Sequence, residues 1–317
     1  MIVALAGGVG GAKLVDGFAR VLSAQELVAV VNTGDDFEHL GLRISPDLDT
    51  VMYTLAGRAN AQTGWGLAGE TWRFMEALER LEGETWLRLG DQDLATHVRR
   101  TQMLAEGATL SQVTDRLCRS LGVAHRLVPM SDHDVRTMVQ TNEGELAFQD
   151  YFVRRHCTPV MQSVRYSGAA EALPSRALLD ALGDERLRAV IICPSNPWLS
   201  IEPMLALPGV RERLRCIRVP VIAVSPIVAG QAVKGPAAKI MHELGREVSA
   251  REVAKLYGDL LDGFVLDRVD AHAVAAVAAL GMQPLVTSTV MTSGEHRAQL
   301  ARDVIDFAAT LTERAYG

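Results

Sequence analysis

The N-terminal segment places the strongest constraint on the fold of this chain. A short apolar run, Ile2–Ala6, ends at a glycine-rich loop, and apolar residues then recur at helical spacing between positions 14 and 22. A second apolar run, Leu27–Val31, follows. Continuous apolar runs of this length are typical of strands buried on both faces of a parallel sheet. The sequence therefore predicts a Rossmann-like α/β fold with a mostly parallel sheet and helices on both faces.

The middle of the chain lacks this alternation and is dominated by helical patterns, whereas alternating strands and helices return towards the C-terminus. Because no flexible linker separates these regions, we predict one Rossmann-like unit, residues 1–317, with a helix-rich insertion at about 58–150. Strands are predicted at 189–193, 220–225, 263–266 and 285–290, an extended piece at 148–153, and helices at 49–56, 71–81, 91–106, 110–121, 239–244, 250–261 and 296–314.

Composition excludes several classes of protein. Hydrophobic residues make up 48% and charged residues 22% of the chain, which excludes a disordered protein. The net charge of −6 argues against a basic nucleic-acid-binding surface. The four cysteines form no CxxC pair, and no run approaches the roughly 20 apolar residues of a membrane span. The first residues resemble a strand, not a signal peptide. We expect a cytoplasmic protein without nucleic-acid or membrane partners.

Unusual polar and glycine-rich sequences follow four of the predicted strands. Parallel sheets bind ligands at the carboxyl ends of their strands, so these four sequences predict one shared site. They are AGGVGGAK at 6–13, NTGDD at 32–36, PSNP at 194–197 and SPIVAGQAVKGP at 225–236.

The first of these sequences suits phosphate, because glycines let the backbone approach a ligand and the next helix begins there. Gly8, Gly10 and Gly11 are its candidate ligands. A tight turn that merely needs glycine is the simpler alternative. Lys13 stands where a dinucleotide fingerprint requires glycine, and a Walker A loop would require Gly-Lys-Ser/Thr, so NAD binding and kinase-like ATP use both lose support.

Four aspartates lie close together after the second strand, at Asp35, Asp36, Asp47 and Asp49. Carboxylates so close repel one another unless a cation compensates, and oxygen ligands of this kind suit Mg²⁺. Helix capping by Asp47 or Asp49 is the alternative. We expect one of these two to cap the following helix and at least one aspartate to serve a ligand.

Two further segments add polar groups to the predicted site. In PSNP, Ser195 and Asn196 offer hydrogen bonds between two prolines of fixed φ, although an ordinary turn would use the same residues. Lys234 and Gly235 combine a positive charge with a permissive backbone, which suits a diphosphate, although a solvated loop lysine is almost as good an explanation.

Taken in order, the motifs resemble the 2-phospho-L-lactate transferases of coenzyme F420 biosynthesis, the CofD/FbiA family. The resemblance spans nearly the whole chain. Its segments are GGVGGAKL at 7–14, NTGDD at 32–36, ISPDLDTVMYTLAG at 44–57, LGDQDLATH at 89–97, PMSDHDVRT at 129–137, QDYFVR at 149–154, PSNPWLSIEP at 194–203, VSPIVAGQAVKGPA at 224–237 and LDGFVLDRVD at 261–270.

The resemblance implies a reaction and a set of partners. The family joins a guanosine-diphosphate-activated three-carbon acid to the ribityl hydroxyl of Fo, the 7,8-didemethyl-8-hydroxy-5-deazariboflavin precursor. The products are an F420-0-type molecule and GMP, Mg²⁺ is required, and the protein is usually a homodimer. The acid is 2-phospholactate, phosphoenolpyruvate or 3-phosphoglycerate, and no single residue of this sequence decides between them.

The resemblance also implies roles for particular residues. Asp49 matches a family aspartate associated with Fo, and Gln92 stands where the family has an arginine linked to Fo. Asp35, Asp36 and Asp49 are expected to handle the metal and the ribityl hydroxyls, with Asp49 or Asp35 orienting the attacking hydroxyl. On this view, Asp49→Asn should depress turnover far more than stability.

An alternative function belongs to a different class of protein. The regulatory YvcK-like relatives of this family bind nucleotide sugars, which would make the chain a binding protein and not a transferase. The NTGDD, PDLDT and PSNPWLSIEP segments are closer to the transferases.

Overall fold

A seven-stranded, all-parallel sheet forms the centre of the computed structural model, which describes residues 1–316. Its strand order is β14-β13-β10-β9-β1-β2-β5, so β1 lies in the middle between β9 and β2. The strands of this sheet are β1 Ile2–Ala6, β2 Leu27–Val31, β5 Arg126–Pro129, β9 Ala189–Ile192, β10 Val221–Val224, β13 Gly263–Asp267 and β14 Gln283–Thr287.

The remaining strands form three small antiparallel sheets. The largest has the order β7-β6-β8, and the other two are short hairpins, β3-β4 and β11-β12. These strands are β3 Phe37–His39, β4 Leu42–Ile44, β6 Arg136–Thr141, β7 Gly144–Ala147, β8 Met161–Ser167, β11 Ile227–Val228 and β12 Gln231–Ala232.

Helices cover both faces of the main sheet. They are α1 Gly8–Val21, α2 Pro46–Leu55, α3 Arg73–Arg80, α4 Asp91–Ala105, α5 Leu110–Ser120, α6 Arg176–Leu182, α7 Glu202–Leu205, α8 Val210–Cys216, α9 Ala237–Glu243, α10 Ala250–Tyr257, α11 Val274–Ala278 and α12 Gly294–Tyr316. Single π-helical turns occur at Asp150–Arg154 and Pro197–Ile201.

Alternation of side chains along β1 divides the core into two layers. Val3 and Leu5 pack with apolar residues of α6 to α11, whereas Ile2, Ala4 and Ala6 pack with those of α1, α2, α5 and α12. Successive strand residues point to opposite faces, so a strand that is apolar throughout must be covered on both sides. The predicted fold class is confirmed.

The predicted helix-rich segment, 58–150, holds helices only in its first part. Helices α3 to α5 end at Ser120, and β5 then joins the main sheet beside β2, while β6 and β7 belong to the largest antiparallel sheet. These strands lack the long apolar runs that revealed β1 and β2, since β6 alternates buried and half-buried residues.

The extended piece predicted at 148–153 is wrong, because a π-helical turn occupies Asp150–Arg154. Phe148 and Phe152 stack with ring centroids 5.3 Å apart, and Tyr151 is fully buried in a small core with Val139 and Phe148. Aromatic side chains four residues apart meet on a helical turn and not on a strand.

None of the helices formed by residues 1–316 is both long enough and apolar enough to cross a membrane.

Candidate functional site

The carboxyl ends of β1, β2 and β9 meet at one edge of the main sheet, as the motif positions predict. The Ser195 hydroxyl, after β9, accepts a hydrogen bond from the Gly7 amide at 3.1 Å and donates one to the Gly7 carbonyl at 2.8 Å. Ser195 is buried, so its side chain fastens the glycine loop to the PSNP turn. These two predicted site segments are therefore brought together, with Ser195 in a structural position.

Two of the loop glycines are explained by this close packing. A Cβ on Gly10 would collide with the Pro194 carbonyl oxygen, and one on Gly11 would lie 2.5 Å from the Ser195 hydroxyl. Gly8 has a φ of +61°, a conformation that glycine adopts without the cost other residues incur. The simpler alternative, that the fold itself needs these glycines, accounts for Gly10 and Gly11.

Asp47 reaches from α2 to the start of α1. Its Oδ1 accepts a hydrogen bond from the Gly8 amide at 2.6 Å, and its Oδ2 accepts from Asn32 at 3.0 Å and from Ser200 at 3.3 Å. Asp47 therefore caps α1, not α2. The expectation that an aspartate caps α2 is wrong, because Ser45 holds the N-cap position of that helix, Asp47 and Asp49 lie inside it, and no side chain accepts a capping hydrogen bond there.

Asn32 is the residue that joins the acidic groups, and the sequence did not single it out. It is fully buried, and its amide nitrogen donates to Asp35 Oδ1 at 3.1 Å, to Asp47 Oδ2 at 3.0 Å and to the Leu199 carbonyl at 3.2 Å. Its position directly after β2 was the available signal. Asn32 holds two carboxylates side by side at the N-terminus of α1.

Within residues 1–316, no arginine or lysine forms an ion pair with either carboxylate of this Asp35–Asp47 pair, although the charge of Arg136 partly opposes the raised pKa of Asp35. Burial raises the pKa of Asp47 to about 6, despite the hydrogen bonds that it accepts. Burial, and then the neighbouring Asp47 and Asp36, raises the pKa of Asp35 well above its usual range. Two buried carboxylates that share one neutral amide present the oxygen ligands and the negative charge that suit a divalent cation.

Asp36, the second residue of the predicted acidic pair, faces a different environment. Its Oδ2 accepts a hydrogen bond from Ser45 at 2.7 Å, while its buried Oδ1 has no partner among the described residues. Burial raises its pKa to about 7, against the opposing effects of Ser45 and Arg136. A cavity of about 40 Å³ adjoins it and is lined in part by Thr33, Arg43, Asp134 and Arg136.

Asp49 lies apart from the Asp35–Asp47 pair, in a buried ion pair with Arg100 of α4. Both guanidinium NH groups bind its carboxylate, with Nη1 to Oδ2 at 3.0 Å and Nη2 on Oδ1. Arg100 and Asp49 are 2% and 5% exposed. Because a bidentate arginine occupies both carboxylate oxygens, this geometry argues against the predicted roles of Asp49 as a metal ligand and as the residue that orients the hydroxyl.

The Asp49–Arg100 pair continues into a buried polar network between α2 and α4. Arg100 contacts His97 Nδ1 at 3.2 Å, His97 Nε2 lies 3.4 Å from Asp93 Oδ2, and the Tyr53 hydroxyl donates to Asp93 Oδ1 at 2.6 Å. Burial opposes ionisation of Asp93, but hydrogen bonds from His97 and Tyr53 outweigh it and leave its pKa lowered. Ligand atoms of Asp49, Asp93 and His97 lie within 4.8 Å of one another, yet Arg100 already neutralises Asp49, so this is a structural network.

Lysine side chains lie along the outer side of α1. Lys234 donates a hydrogen bond to the Thr63 carbonyl, and its Nζ approaches Gly64, which in turn lies against Val9. Lys13 is one helical turn after Val9, so the two share a face of α1. Burial, and then the charges of Arg297 and Lys234, lowers the pKa of Lys13. Lys13 was not predicted as a site residue.

The other predicted residues lie at the edges of this region. Gly235 turns the chain after Lys234 with a φ of +77°. Asn196 caps the π-helical turn that follows it, accepting from Trp198 and Leu199 amides, and its buried Nδ2 has no partner among the described residues. Gln92 is exposed in the first turn of α4, where its side chain donates to the Gly69 carbonyl at 3.1 Å.

The fold and this edge of the sheet define an α/β protein with a buried acidic pair at the N-terminus of a helix. Its sequence matches the model of the 2-phospho-L-lactate transferase CofD family over residues 2–301. The chain therefore belongs to the CofD family of transferases, as the motifs predicted.

Two curated relatives and one solved structure illustrate the match. The chain is 42% identical to a phosphoenolpyruvate transferase of Kitasatospora aureofaciens, covering 97% of both chains. It is 39% identical to a 2-phospho-L-lactate transferase of Methanosarcina acetivorans, covering 98% of this chain and 100% of the relative. A crystal structure of an upf0052 family protein from Bacillus halodurans shares the fold, with a TM-score of 0.61 at 13% identity over 96% of this chain and 97% of that one.

Proposed function

We propose that this chain transfers a phospho-three-carbon-acid group from its guanosine-diphosphate-linked form to the ribityl hydroxyl of Fo, with GMP as the second product. The observation that carries this proposal is the Asp35–Asp47 pair, held by Asn32 beside the first turn of α1. Its environment suits a reaction in which a metal-bound diphosphate is cleaved. Family membership and the transferase names of the relatives support the same reaction.

Mg²⁺ fits Asp35 and Asp47 better than the trio Asp35, Asp36 and Asp49 that the sequence suggested. Asp35 and Asp47 are adjacent, buried and short of positive charge, whereas Asp49 is bound to Arg100. We therefore assign the metal to the Asp35–Asp47 pair. When bound, Mg²⁺ offsets the charge that builds up on the leaving phosphate.

The chain's own residues position the reactants. The start of α1, together with Lys13 and Lys234, holds the diphosphate, because helix N-termini and ammonium groups both attract phosphate. Asp35 orients the ribityl hydroxyl, whose oxygen attacks the phosphorus that carries the acid. The bond from that phosphorus to the GMP oxygen breaks, and the hydroxyl proton passes late in the step to the Asp35 carboxylate. Most of the rate enhancement then comes from positioning and charge neutralisation.

The relatives suggest which acid to test first. Relatives named phosphoenolpyruvate transferase are 42% and 41% identical to this chain, and relatives named 2-phospho-L-lactate transferase are 39% identical. We propose the phosphoenolpyruvyl donor on this basis. A cytoplasmic homodimer stays a prediction.

The test is a coupled assay with Fo, Mg²⁺ and the guanosine-diphosphate-linked forms of phosphoenolpyruvate, 2-phospholactate and 3-phosphoglycerate. GMP and the deazaflavin product are followed by mass spectrometry, with Asp35→Asn as the inactive variant. Asp180→Asn, which removes an exposed carboxylate paired with Arg176, is the matched control and should stay active. Absence of product from all three donors would overturn the proposal, and binding of a nucleotide sugar instead would favour the regulatory function.

A further inference from the structure

Residues 58–70 form a loop between α2 and α3, which we call the tryptophan loop. It reaches from Lys234 to the first turn of α4. Its base is closed by a bridge between Ala59 and Leu67, and Leu67 is buried in the core. Its tip is held by the bond from Lys234 to the Thr63 carbonyl. Its end carries Glu70, which accepts hydrogen bonds from the Gln92 and Asp93 amides, both at 2.8 Å.

Trp65 lies at the tip of this loop and is 49% exposed. Among the described residues its indole has no hydrogen-bonding partner and no ring partner, although each of the other three tryptophans is packed. The loop holds it in this position, because the Thr63 hydroxyl donates to the Trp65 carbonyl at 2.6 Å and the flanking Gly64 and Gly66 have positive φ angles.

The residues on either side of Trp65 in the loop contact the candidate site. The preceding residue, Gly64, contacts both Lys234 Nζ and Val9 of the first turn of α1. The tryptophan loop then returns to Gln92, whose side chain binds the Gly69 carbonyl. The tryptophan loop therefore connects Lys234, to which we assign the diphosphate, with the start of α4, where the family resemblance implies a residue linked to Fo.

We infer that Trp65 stacks on the planar heteroaromatic ring of a bound substrate. This inference rests on the proposed function, in which both substrates carry such a ring, guanine in the donor and the deazaflavin in the acceptor. Every base has a π-face that can stack on an aromatic side chain, so an exposed indole beside the proposed diphosphate site is suited to contact such a ring. The neighbours of Trp65 in the loop are small or polar, so it does not belong to an apolar patch large enough to dock a protein.

The experiment compares wild type, Trp65→Ala, Trp65→Phe and Phe74→Ala by calorimetric titration with GDP, Fo and inorganic pyrophosphate. Phe74 is a matched control, since it is an aromatic residue of α3 with 40% exposure. We expect Trp65→Ala to weaken one ring-bearing ligand by about tenfold, with pyrophosphate unchanged. Trp65→Phe should keep most of the affinity. The ligand that loses affinity, GDP or Fo, identifies the ring.

Two outcomes would overturn the inference while leaving the proposed function intact. One is wild-type affinity of Trp65→Ala for both GDP and Fo. The other is an equal loss of pyrophosphate binding, which would show that Trp65 supports the loop and contacts no ring. Failure of the wild-type protein to bind either GDP or Fo would overturn the proposed function and, with it, this inference.

Discussion

Asp47 and Asp49 both lie in the first turn of α2, two positions apart, yet their carboxylates have different kinds of partner. Residues two apart on a helix point to different sides, so Asp47 faces the glycine loop and Asp49 faces α4. Asp47 shares a neutral amide with another carboxylate, whereas Asp49 has a buried arginine of its own. Among the described residues, no arginine or lysine forms an ion pair with Asp35 or Asp47, whereas Asp49 forms one with Arg100.

The difference shows how one acidic sequence can serve two purposes. The Asp49–Arg100 network fixes the position of α4 against α2 and so fixes the helix that carries Gln92. The Asp35–Asp47 pair lowers the stability of the metal-free protein, because both carboxylates are buried and have raised pKa values. We therefore expect stability to depend on the first region and activity on the second.

The largest expected effect comes from Arg100→Met. Removing one partner of a buried ion pair leaves an uncompensated charge and costs about 3–5 kcal/mol of unfolding free energy, measurable by denaturant titration. Arg99→Met, which removes an exposed arginine from the same helix, should cost far less. Asp49→Asn should likewise lower stability first, contrary to the expectation from the sequence. Wild-type stability of Arg100→Met would show that the network does not hold α4.

Asp35→Asn should reduce turnover without lowering stability. Loss of one metal-binding carboxylate is expected to reduce turnover at saturating Mg²⁺ by at least about 100-fold, equivalent to roughly 2.7 kcal/mol. The melting temperature of the metal-free protein should stay the same or rise, because a repulsive charge has gone. A fall in melting temperature that parallels the loss of turnover would place Asp35 among the structural residues.

The pH dependence of stability distinguishes Asp36 from a well-paired carboxylate. Its pKa is raised to about 7 in the folded protein, so folding favours the protonated form and stability falls as the pH rises from about 4 to 7. In EDTA, Asp36→Asn should match wild type near pH 4 and become more stable towards pH 8, at about 1.4 kcal/mol for each unit of pKa shift. A difference that does not change with pH would contradict the raised pKa.

The smallest effect is expected for Tyr53→Phe, which deletes only the hydroxyl that donates to Asp93. One hydrogen bond contributes about 1 kcal/mol to the free energy of unfolding. His97 still lies beside Asp93 in this variant and partly replaces the lost donor. Denaturant titration measures the loss, and turnover should remain at the wild-type level. A drop in turnover without a change in stability would connect the network to the reaction itself.

Strands of the main sheet were predictable where burial on both faces leaves a continuous apolar run, as in β1 and β2. Strand β5 was missed because it has only two apolar residues, Leu127 and Val128, between Arg126 and Pro129, and its place beside β2 is set by pairing across about a hundred residues of chain. The hairpin β3-β4 was missed because each of its strands has only three residues.

The candidate site was predictable as a meeting of strand ends, but the partners of each carboxylate were not. Spacing grouped four aspartates, Asp35, Asp36, Asp47 and Asp49, and the family resemblance then selected Asp35, Asp36 and Asp49 as metal ligands. The partner of Asp49 is Arg100, which lies 51 residues further along the chain, and no local pattern in the sequence connects the two. Asn32 was likewise invisible, since its role depends on three contacts made only in the folded chain.

The central position of β1 and the packing of α12 on α1 have a consequence for the order in which the chain can fold. Strand β1 pairs with β9, and Gly17 of α1 lies against the Arg297 backbone of α12. During synthesis the first strand and helix emerge long before either partner exists. Strand β1 and helix α1 must therefore wait, with apolar surface uncovered, until β9 and α12 have been made, and chaperone binding should concentrate on these two elements.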